Sequence, residues 1–191
     1  WLVVLTLINK YGVTVSAGNG VSNKIRDFCQ LFLSALTTGA GTMCAQCLGA
    51  GLYDRAEQVM KTCMKLALAM AAVIIVVAEV FAPQFAMIFT PDPEVQHWAV
   101  VNLRIEIVCQ LFYAGMFTYN TLATGSGHTV FIMWNSFLNC IVVRLILAVV
   151  LEHFLGIYGV YIACGVAVAS SVPVGWWFYR SKRWMTMKNT H

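Results

Sequence analysis

The chain has 191 residues, of which 60% are hydrophobic and only 10% are charged, and its mean hydropathy is +0.75. Soluble domains carry about 25% charged residues, so a soluble fold of this chain would lack the charge that covers a protein surface. The net charge of +4 does not indicate nucleic-acid binding, because half of the basic residues flank apolar runs and no basic groove with interleaved aromatic residues is visible. The composition predicts an integral membrane protein whose immediate partner is the lipid bilayer.

The first predicted element is a partial helix at residues 1–9. The stretch from Trp1 to Ile8 is apolar, with no initiator methionine and no basic segment before it, so it lacks the pattern of a signal peptide. It looks like the end of a helix that begins upstream. We therefore expect this chain to be either a fragment of a larger protein or a half that pairs with a second copy.

Five full membrane spans are predicted after this partial helix. Residues 28–53, 107–143 and 154–179 contain no Lys, Arg, Asp or Glu, and a helix needs roughly 20 apolar residues to cross a bilayer. The middle run is long enough for two spans, which the turn at Thr124 to His128 divides. The predicted fold is an all-α, polytopic membrane bundle in one domain at 1–185, with spans at about 13–47, 61–82, 94–124, 129–151 and 156–179 and a tail at 186–191.

Basic residues indicate how the bundle is oriented. They cluster at the end of the chain and in the connector before the second span, as Arg180, Lys182, Arg183 and Lys188 and as Arg55, Lys61 and Lys65. With five spans, both clusters fall on the same side of the membrane, which the positive-inside rule makes the cytoplasmic side. We expect a multi-pass protein of the cell membrane with a cytoplasmic C-terminus.

The first full helix carries a stripe of polar residues. They follow one another at intervals of three or four and therefore share one face of the helix: Asn19, Asn23, Asp27, Gln30, Ser34 and Thr38. Lys24 and Arg26 are close enough in sequence to neutralise Asp27. Polar residues in a membrane helix are expensive and face a cavity or one another, so the stripe predicts either a cavity wall or hydrogen bonds between helices.

The third full helix repeats the pattern with a carboxylate at its centre. Its stripe consists of Glu106, Gln110, Tyr113, Phe117 and Asn120. Glu106 lies about 12 residues into the helix, roughly 18 Å deep, where an anion must be protonated or paired with a cation. Arg104 points to another side of the helix and is a poor partner. A carboxylate at this depth predicts coupling to protons or sodium ions.

Two further polar residues, Asn135 and Asn139, stand one turn apart in the fourth helix, with Arg144 beyond them. They either line a cavity or form hydrogen bonds between helices. Cys44 and Cys47 have redox spacing without a histidine or aspartate companion, so the role of this pair stays open. Because the spans contain no cluster of catalytic residues, neither an enzyme nor a metal site nor a cofactor is predicted.

Six segments follow one another in a recognisable order: SAGNGVSNKI at 16–25, GAGTMCAQ at 39–46, GAGLYDRA at 49–56, FTPDPE at 89–94, NLRI at 102–105 and GSGHT at 125–129. In order and spacing they resemble the second half of multidrug and toxic compound extrusion (MATE) transporters. The resemblance implies twelve helices in two lobes, with this chain as the C-terminal lobe. By this resemblance we expect a missing N-terminal lobe, either upstream in the same chain or supplied by a second copy.

The resemblance also implies a function. MATE transporters export cationic or amphipathic organic compounds in exchange for sodium ions or protons, by alternating access. In some sodium-coupled members the tenth helix carries an aspartate at the position of Tyr113, so Glu106, two turns away, would substitute for it. His128 stands where the family's turn often has an aspartate, and the coupling ion stays open between sodium and protons.

The predicted site follows from these stripes. The residues predicted to couple ions and substrate are Glu106, Gln110, Tyr113, Asn120 and Asp27, and those predicted to line the cavity are Asn19, Asn23, Gln30, Ser34, Asn135 and Asn139. Two alternatives are a flippase for lipid-linked saccharides of the same superfamily and a structural membrane subunit that transports nothing. A flippase cavity needs several cations for pyrophosphate, and the spans offer mainly Lys24, Arg26, Arg104 and Arg144.

Overall fold

The structure of the protein, a computed structural model, describes residues 2–185 as helices joined by short turns. Its α-helices are α1 (Leu2–Asn9), α2 (Val13–Gly49), α3 (Tyr53–Phe89), α4 (Pro93–Ile107), α5 (Gln110–Gly125), α6 (Thr129–Phe137), α7 (Arg144–Leu155), α8 (Ile157–Ala169) and α9 (Ser171–Arg180). A π-helical segment, Leu138–Val143, joins α6 to α7, and a 3₁₀ turn, Arg183–Met185, follows α9. The predicted all-α class is confirmed. The predicted tail at 186–191 lies outside the described residues.

The helices provide the predicted number of membrane spans. Within residues 2–185, four helical stretches are long and apolar enough to cross a bilayer: Val13–Gly49, Tyr53–Phe89, Thr129–Leu155 and Ile157–Arg180. The pair α4 and α5 provides a fifth when it is counted as one broken span. These helices confirm an all-α, polytopic bundle of four to five spans, and the short α1 precedes them.

The second predicted span, at 61–82, lies inside a longer helix. The polar connector is already helical from Tyr53, and it is supported by an ion pair between Lys61 Nζ and Glu57 Oε1 at 2.6 Å, one turn apart. At the other end, Pro83 does not stop the helix, which continues to Phe89. A proline removes one backbone donor, and a helix can continue past it when its neighbours accommodate the kink.

The third predicted span, at 94–124, is broken. Asp92 caps its first half, because its Oδ1 accepts a hydrogen bond from the Glu94 N–H at 3.0 Å. The helix axis then turns by 51° between α4 and α5. At the break, the Cys109 N–H donates to the carbonyl of Glu106 three residues back, at 3.1 Å, so the regular four-residue ladder is interrupted directly after Glu106.

The last two predicted spans also contain irregular backbone. The span predicted at 129–151 continues to Leu155 through the π-helical segment, and Gly156, with φ 61°, turns the chain into α8. The span predicted at 156–179 consists of α8 and α9, which meet at Ser170. Segments of π-helix are rare and often mark functional sites.

Helix α2 is central to the packing of the bundle. One side of it packs against α3 and another against α4 and α5, which run parallel to it. The contact is close at both ends: a Cβ at Gly18 would lie 2.8 Å from the Cβ of Trp98, and a Cβ at Gly125 would lie 3.2 Å from the carbonyl oxygen of Gly41. Small residues let membrane helices approach in this way. This approach brings the polar residues of α2 and α4 together.

Candidate functional site

Two polar contacts join α2 to α4 inside the bundle. Asn102 Nδ2 donates a hydrogen bond to Asn19 Oδ1 at 3.0 Å, and both residues are buried. Further along, Arg26 Nη1 donates to Glu106 Oε2. The two helices thus share a buried polar seam, which is formed by Asn19, Ser22 and Arg26 from α2 and by Asn102, Glu106 and Gln110 from α4 and the start of α5.

The ion pair in this seam is almost inaccessible to solvent. The side chain of Arg26 is 9% exposed and that of Glu106 is 4% exposed. The same guanidinium group also reaches Asp27, whose Oδ1 lies 3.3 Å from Nη2 and whose side chain is 67% exposed. Arg26 therefore lies between two carboxylates, one buried and one open to the surface of the lobe.

The structure brings Glu106 together with a partner that sequence reasoning missed. The sequence suggested Arg26 as a partner of Asp27, which the structure shows as well, but not as the partner of Glu106. Arg104 pairs instead with Glu79 of α3, with 3.5 Å between Nε and Oε2. The sequence did contain a signal for this partner. Ser22 and Arg26 are one turn apart on α2, and the buried polar residues of α4 are also one turn apart.

Several atoms of the seam have no hydrogen-bond partner among the described residues. They are Asn19 Nδ2, Ser22 Oγ, Asn102 Oδ1, Arg26 Nε and both amide atoms of Gln110. Buried polar atoms are nearly always satisfied, by protein, water or ions, because an unsatisfied one costs about 1–3 kcal/mol. The seam therefore has the chemistry of a site that accepts small polar species.

Other titratable side chains surround the pair. Arg144, at the start of α7, points towards α8, where its Nη2 donates to the carbonyl of Cys164 at 3.4 Å. Tyr113 of α5 and Tyr161 of α8 also lie within electrostatic range of Glu106. Glu106 is thus approached from α2, α5, α7 and α8, and the two nearby guanidinium groups belong to Arg26 and Arg144.

The polar stripe that the sequence predicted on α2 divides into two faces. Asn19 lies on the buried face with Ser22 and Arg26, whereas the remaining predicted members lie on the adjacent, more accessible face: Asn23, Asp27, Gln30, Ser34 and Thr38. Gln30 on this face lies beside the hydroxyl of Tyr113 on α5. Ser34 is bound within its own helix, where its Oγ donates to the carbonyl of Leu31 at 2.9 Å.

The predicted residues of α5 and α6 meet in part. Asn135 Nδ2 lies 3.5 Å from Asn120 Oδ1, so α6 joins the stripe that begins at Glu106. Asn139 instead belongs to the junction of α8 and α9, where its Nδ2 donates to the carbonyl of Ala167 at 2.6 Å and to Ser171 Oγ at 2.8 Å. The structure therefore places Asn139 in contacts between helices, apart from Glu106.

A small cavity with several threonines in its walls continues the accessible face of α2 towards the C-terminal end of that helix. It has a volume of about 300 Å³ and lies where α2 crosses α5. Its walls are formed by threonines and small residues: Thr37, Thr38, Gly41, Thr42, Ala45, Thr121, Thr124 and Gly125. The accessible face of α2 thus carries polar residues at helical spacing from Asp27 to Thr42, with Leu31 exposed among them.

Known proteins share this arrangement of helices. The MatE family profile matches residues 2–150. The probable multidrug resistance protein YoeA of Bacillus subtilis (strain 168) is 25% identical over 184 residues, which are 94% of this chain and 39% of YoeA. A mutant of the Vibrio cholerae MATE transporter VcmN superposes with a TM-score of 0.88 at 21% identity, over 96% of this chain and 43% of VcmN.

The MATE transporter ClbM in complex with Rb⁺ is similar to the same degree, with a TM-score of 0.86 at 20% identity over 96% of this chain and 44% of ClbM. This chain therefore spans about two fifths of the length of the relatives that it matches. The family profile covers well over half of the chain, and the structural likeness shows the fold. The chain belongs to the MatE family and has the fold of a MATE transporter over nearly all of its length.

Proposed function

We propose that this chain forms one lobe of a secondary antiporter that exports cationic or amphipathic organic compounds in exchange for sodium ions or protons. The observation that carries the proposal is the burial of Glu106 in the polar seam, beside the break between α4 and α5. Glu106 lies 13 residues beyond Pro93, roughly 20 Å along the helix, and so near the middle of a bilayer.

A charge at this depth needs a reason other than stability. Buried ion pairs contribute little net stability, since apolar residues of similar size often stabilise a protein as well or better. Ionisable residues inside membrane helices mark ion and substrate paths. A carboxylate that can exchange one cation for another supplies the binding site that a cation-coupled transporter requires.

The exported compound would bind on the accessible polar face of the lobe. Asp27 supplies a negative charge there, and Gln30 and Asn120 supply amide groups. Tyr113 and Phe117 add two aromatic rings whose centroids lie 6.2 Å apart, a surface that attracts flat organic cations. A second lobe opposite this face would complete the cavity, and rocking of the two lobes would expose it to each side of the membrane in turn.

The two-lobed arrangement is part of the proposal. The relatives are more than twice as long as this chain, which leaves room in each of them for a second lobe of similar size. The second lobe of this transporter would be encoded upstream in the same chain or supplied by a second copy. The basic residues that follow α9 would lie in the cytoplasm and place the lobe in the cell membrane.

The test replaces Glu106 in the complete transporter. Glu106→Gln keeps the size of the side chain and removes its charge, and Glu79→Gln is the matched control because Glu79 pairs with Arg104 outside the seam. Both variants are reconstituted in liposomes, and efflux of a fluorescent organic cation is driven by a sodium or a proton gradient. We expect Glu106→Gln to lose gradient-driven efflux and Glu79→Gln to keep it. Normal efflux by Glu106→Gln would overturn the proposal.

A further inference from the structure

The position of Arg26 between two carboxylates suggests how the coupling cation could enter and leave. One nitrogen of the guanidinium group, Nη1, contacts the buried Glu106, and the other, Nη2, lies 3.3 Å from the exposed Asp27. The fork of the arginine side chain thus already touches both partners. A small rotation would strengthen one contact at the expense of the other.

We propose that Arg26 is a tethered counter-ion that neutralises Glu106 while the coupling cation is absent and transfers to Asp27 when the cation binds. This proposal rests on the proposed function, in which Glu106 binds the coupling cation. It assigns to Arg26 and Asp27 the task of keeping every charge in the seam paired in both states.

The charge balance supports this assignment. An isolated carboxylate or guanidinium in a dry interior costs several kcal/mol, so Glu106 needs a cation at every stage of the cycle. Arginine does not deprotonate in proteins and therefore cannot release Glu106 by losing its charge. It can release Glu106 only by moving to another anion. Asp27 is that anion, and its exposure lets water share its charge.

Gln110 provides a second, independent observation. It lies one turn after Glu106, beyond the break, is fully buried, and neither its Oε1 nor its Nε2 has a partner among residues 2–185. Its amide oxygen is a suitable ligand for a sodium ion on Glu106, and its amide nitrogen can donate to a carboxyl group that has taken up a proton. A buried amide without a partner, four residues along the chain from the buried carboxylate, is what a cation site needs after Arg26 has moved.

Other titratable groups approach Glu106 and bear on its cation affinity. They are Arg26 and Asp27 of α2, Cys109 at the break, Tyr113 of α5, Arg144 of α7, and Tyr161 and Cys164 of α8. Arg144 binds the carbonyl of Cys164. Arg26 contacts both Glu106 and Asp27 and is therefore placed to move between two anions.

The experiment measures the cation concentration that half-saturates efflux, with sodium and proton gradients tested separately, in liposomes that contain the complete transporter. In Arg26→Gln the coupling cation no longer competes with a guanidinium group, so we expect the half-saturating concentration to fall by at least about tenfold. In Asp27→Asn the guanidinium group has lost its second partner, so the half-saturating concentration rises. In the double variant Arg26→Gln with Asp27→Asn, we expect the half-saturating concentration of Arg26→Gln alone, because no guanidinium group is left for Asp27 to bind.

The control is Arg104→Gln. Arg104 lies two residues before Glu106 but is paired with Glu79. We expect this variant to leave the half-saturating concentration unchanged. A clamp that merely joins α2 to α4 would not shift the two single variants in opposite directions. Equal or same-direction shifts, or a full effect of Asp27→Asn in the Arg26→Gln background, would overturn the proposal.

Asp27→Asn leaves the buried pair intact and keeps the test decisive if Arg26→Gln does not fold. An unchanged half-saturating concentration in Asp27→Asn alone contradicts the proposal. The result is separable from the proposed function: if Glu106→Gln abolishes cation-driven efflux while the Arg26 and Asp27 variants show no shift, only the tethered counter-ion is wrong. If Glu106→Gln transports normally, the coupling role of Glu106 is wrong.

Discussion

The two sides of α2 pack in opposite ways. Towards α3, α2 meets a face built almost entirely of small apolar residues, among them Ala67, Ala71 and Ala78, all of which are buried. Towards α4, it meets the polar seam, with its ion pair and its unsatisfied amide atoms. The contact between α2 and α3 is thus apolar, whereas the contact between α2 and α4 buries charge. Because buried ion pairs contribute little net stability, we expect the polar seam to be dispensable for assembly and its charges to serve transport.

The largest effect on stability is expected when one member of the buried ion pair is removed. Arg26→Met leaves the carboxylate of Glu106 without a cation, and we expect the free energy of unfolding to fall by about 3–5 kcal/mol. The double variant Arg26→Met with Glu106→Leu removes both charges and is expected to regain most of this stability. Thermal unfolding of the purified protein in detergent measures both. A double variant as unstable as the single one would show that the ion pair itself holds the lobe together.

A smaller effect is expected where α2 approaches α4 most closely. Gly18→Ala places a Cβ 2.8 Å from the Cβ of Trp98, so the helices must separate, at a cost of about 1–3 kcal/mol. Gly20→Ala, on the same helix with no atom within 4 Å, is the matched control, and it should stabilise the helix by about 0.5–1 kcal/mol. The same unfolding assay compares the two. Equal stability of both variants would contradict the close approach of α2 and α4.

The smallest effect is expected at the neutral contact in the seam. Asn102→Ala removes the hydrogen bond to Asn19, and hydrogen bonds between membrane helices are worth only about 0.6 kcal/mol on average. A double-mutant cycle with Asn19→Ala isolates this value. A coupling energy near that of the buried ion pair would show that the polar seam serves mainly as a clamp.

The sequence predicted the number of spans and the burial of Glu106, because runs without charge and the depth along a helix are local properties. It did not predict the break after Ile107, since neither proline nor glycine stands there to mark it. It also did not predict which residue of α2 faces Glu106. Arg26 and Asp27 are neighbours that point about 100° apart on the helix, and which of them is buried depends on how α2 rotates against α4.

The bounds of α3 show a related limit of prediction from the sequence. The sequence placed the start of the second span near Lys61 because charged residues are excluded from the apolar part of a membrane. The helix itself begins at Tyr53, because charged residues such as Glu57 and Lys61 are good helix formers outside the membrane. Hydropathy therefore reports where a helix is apolar, and it does not report where the helix begins.

If the charges in the polar seam serve transport and not assembly, the double variant Arg26→Met with Glu106→Leu separates the two roles. The measurement is efflux of a fluorescent organic cation from liposomes that contain this variant of the complete transporter, under an imposed sodium or proton gradient. We expect a folded protein, with thermal stability close to that of the wild type, that shows no gradient-driven efflux. A stable double variant that still exports the dye at the wild-type rate would contradict it.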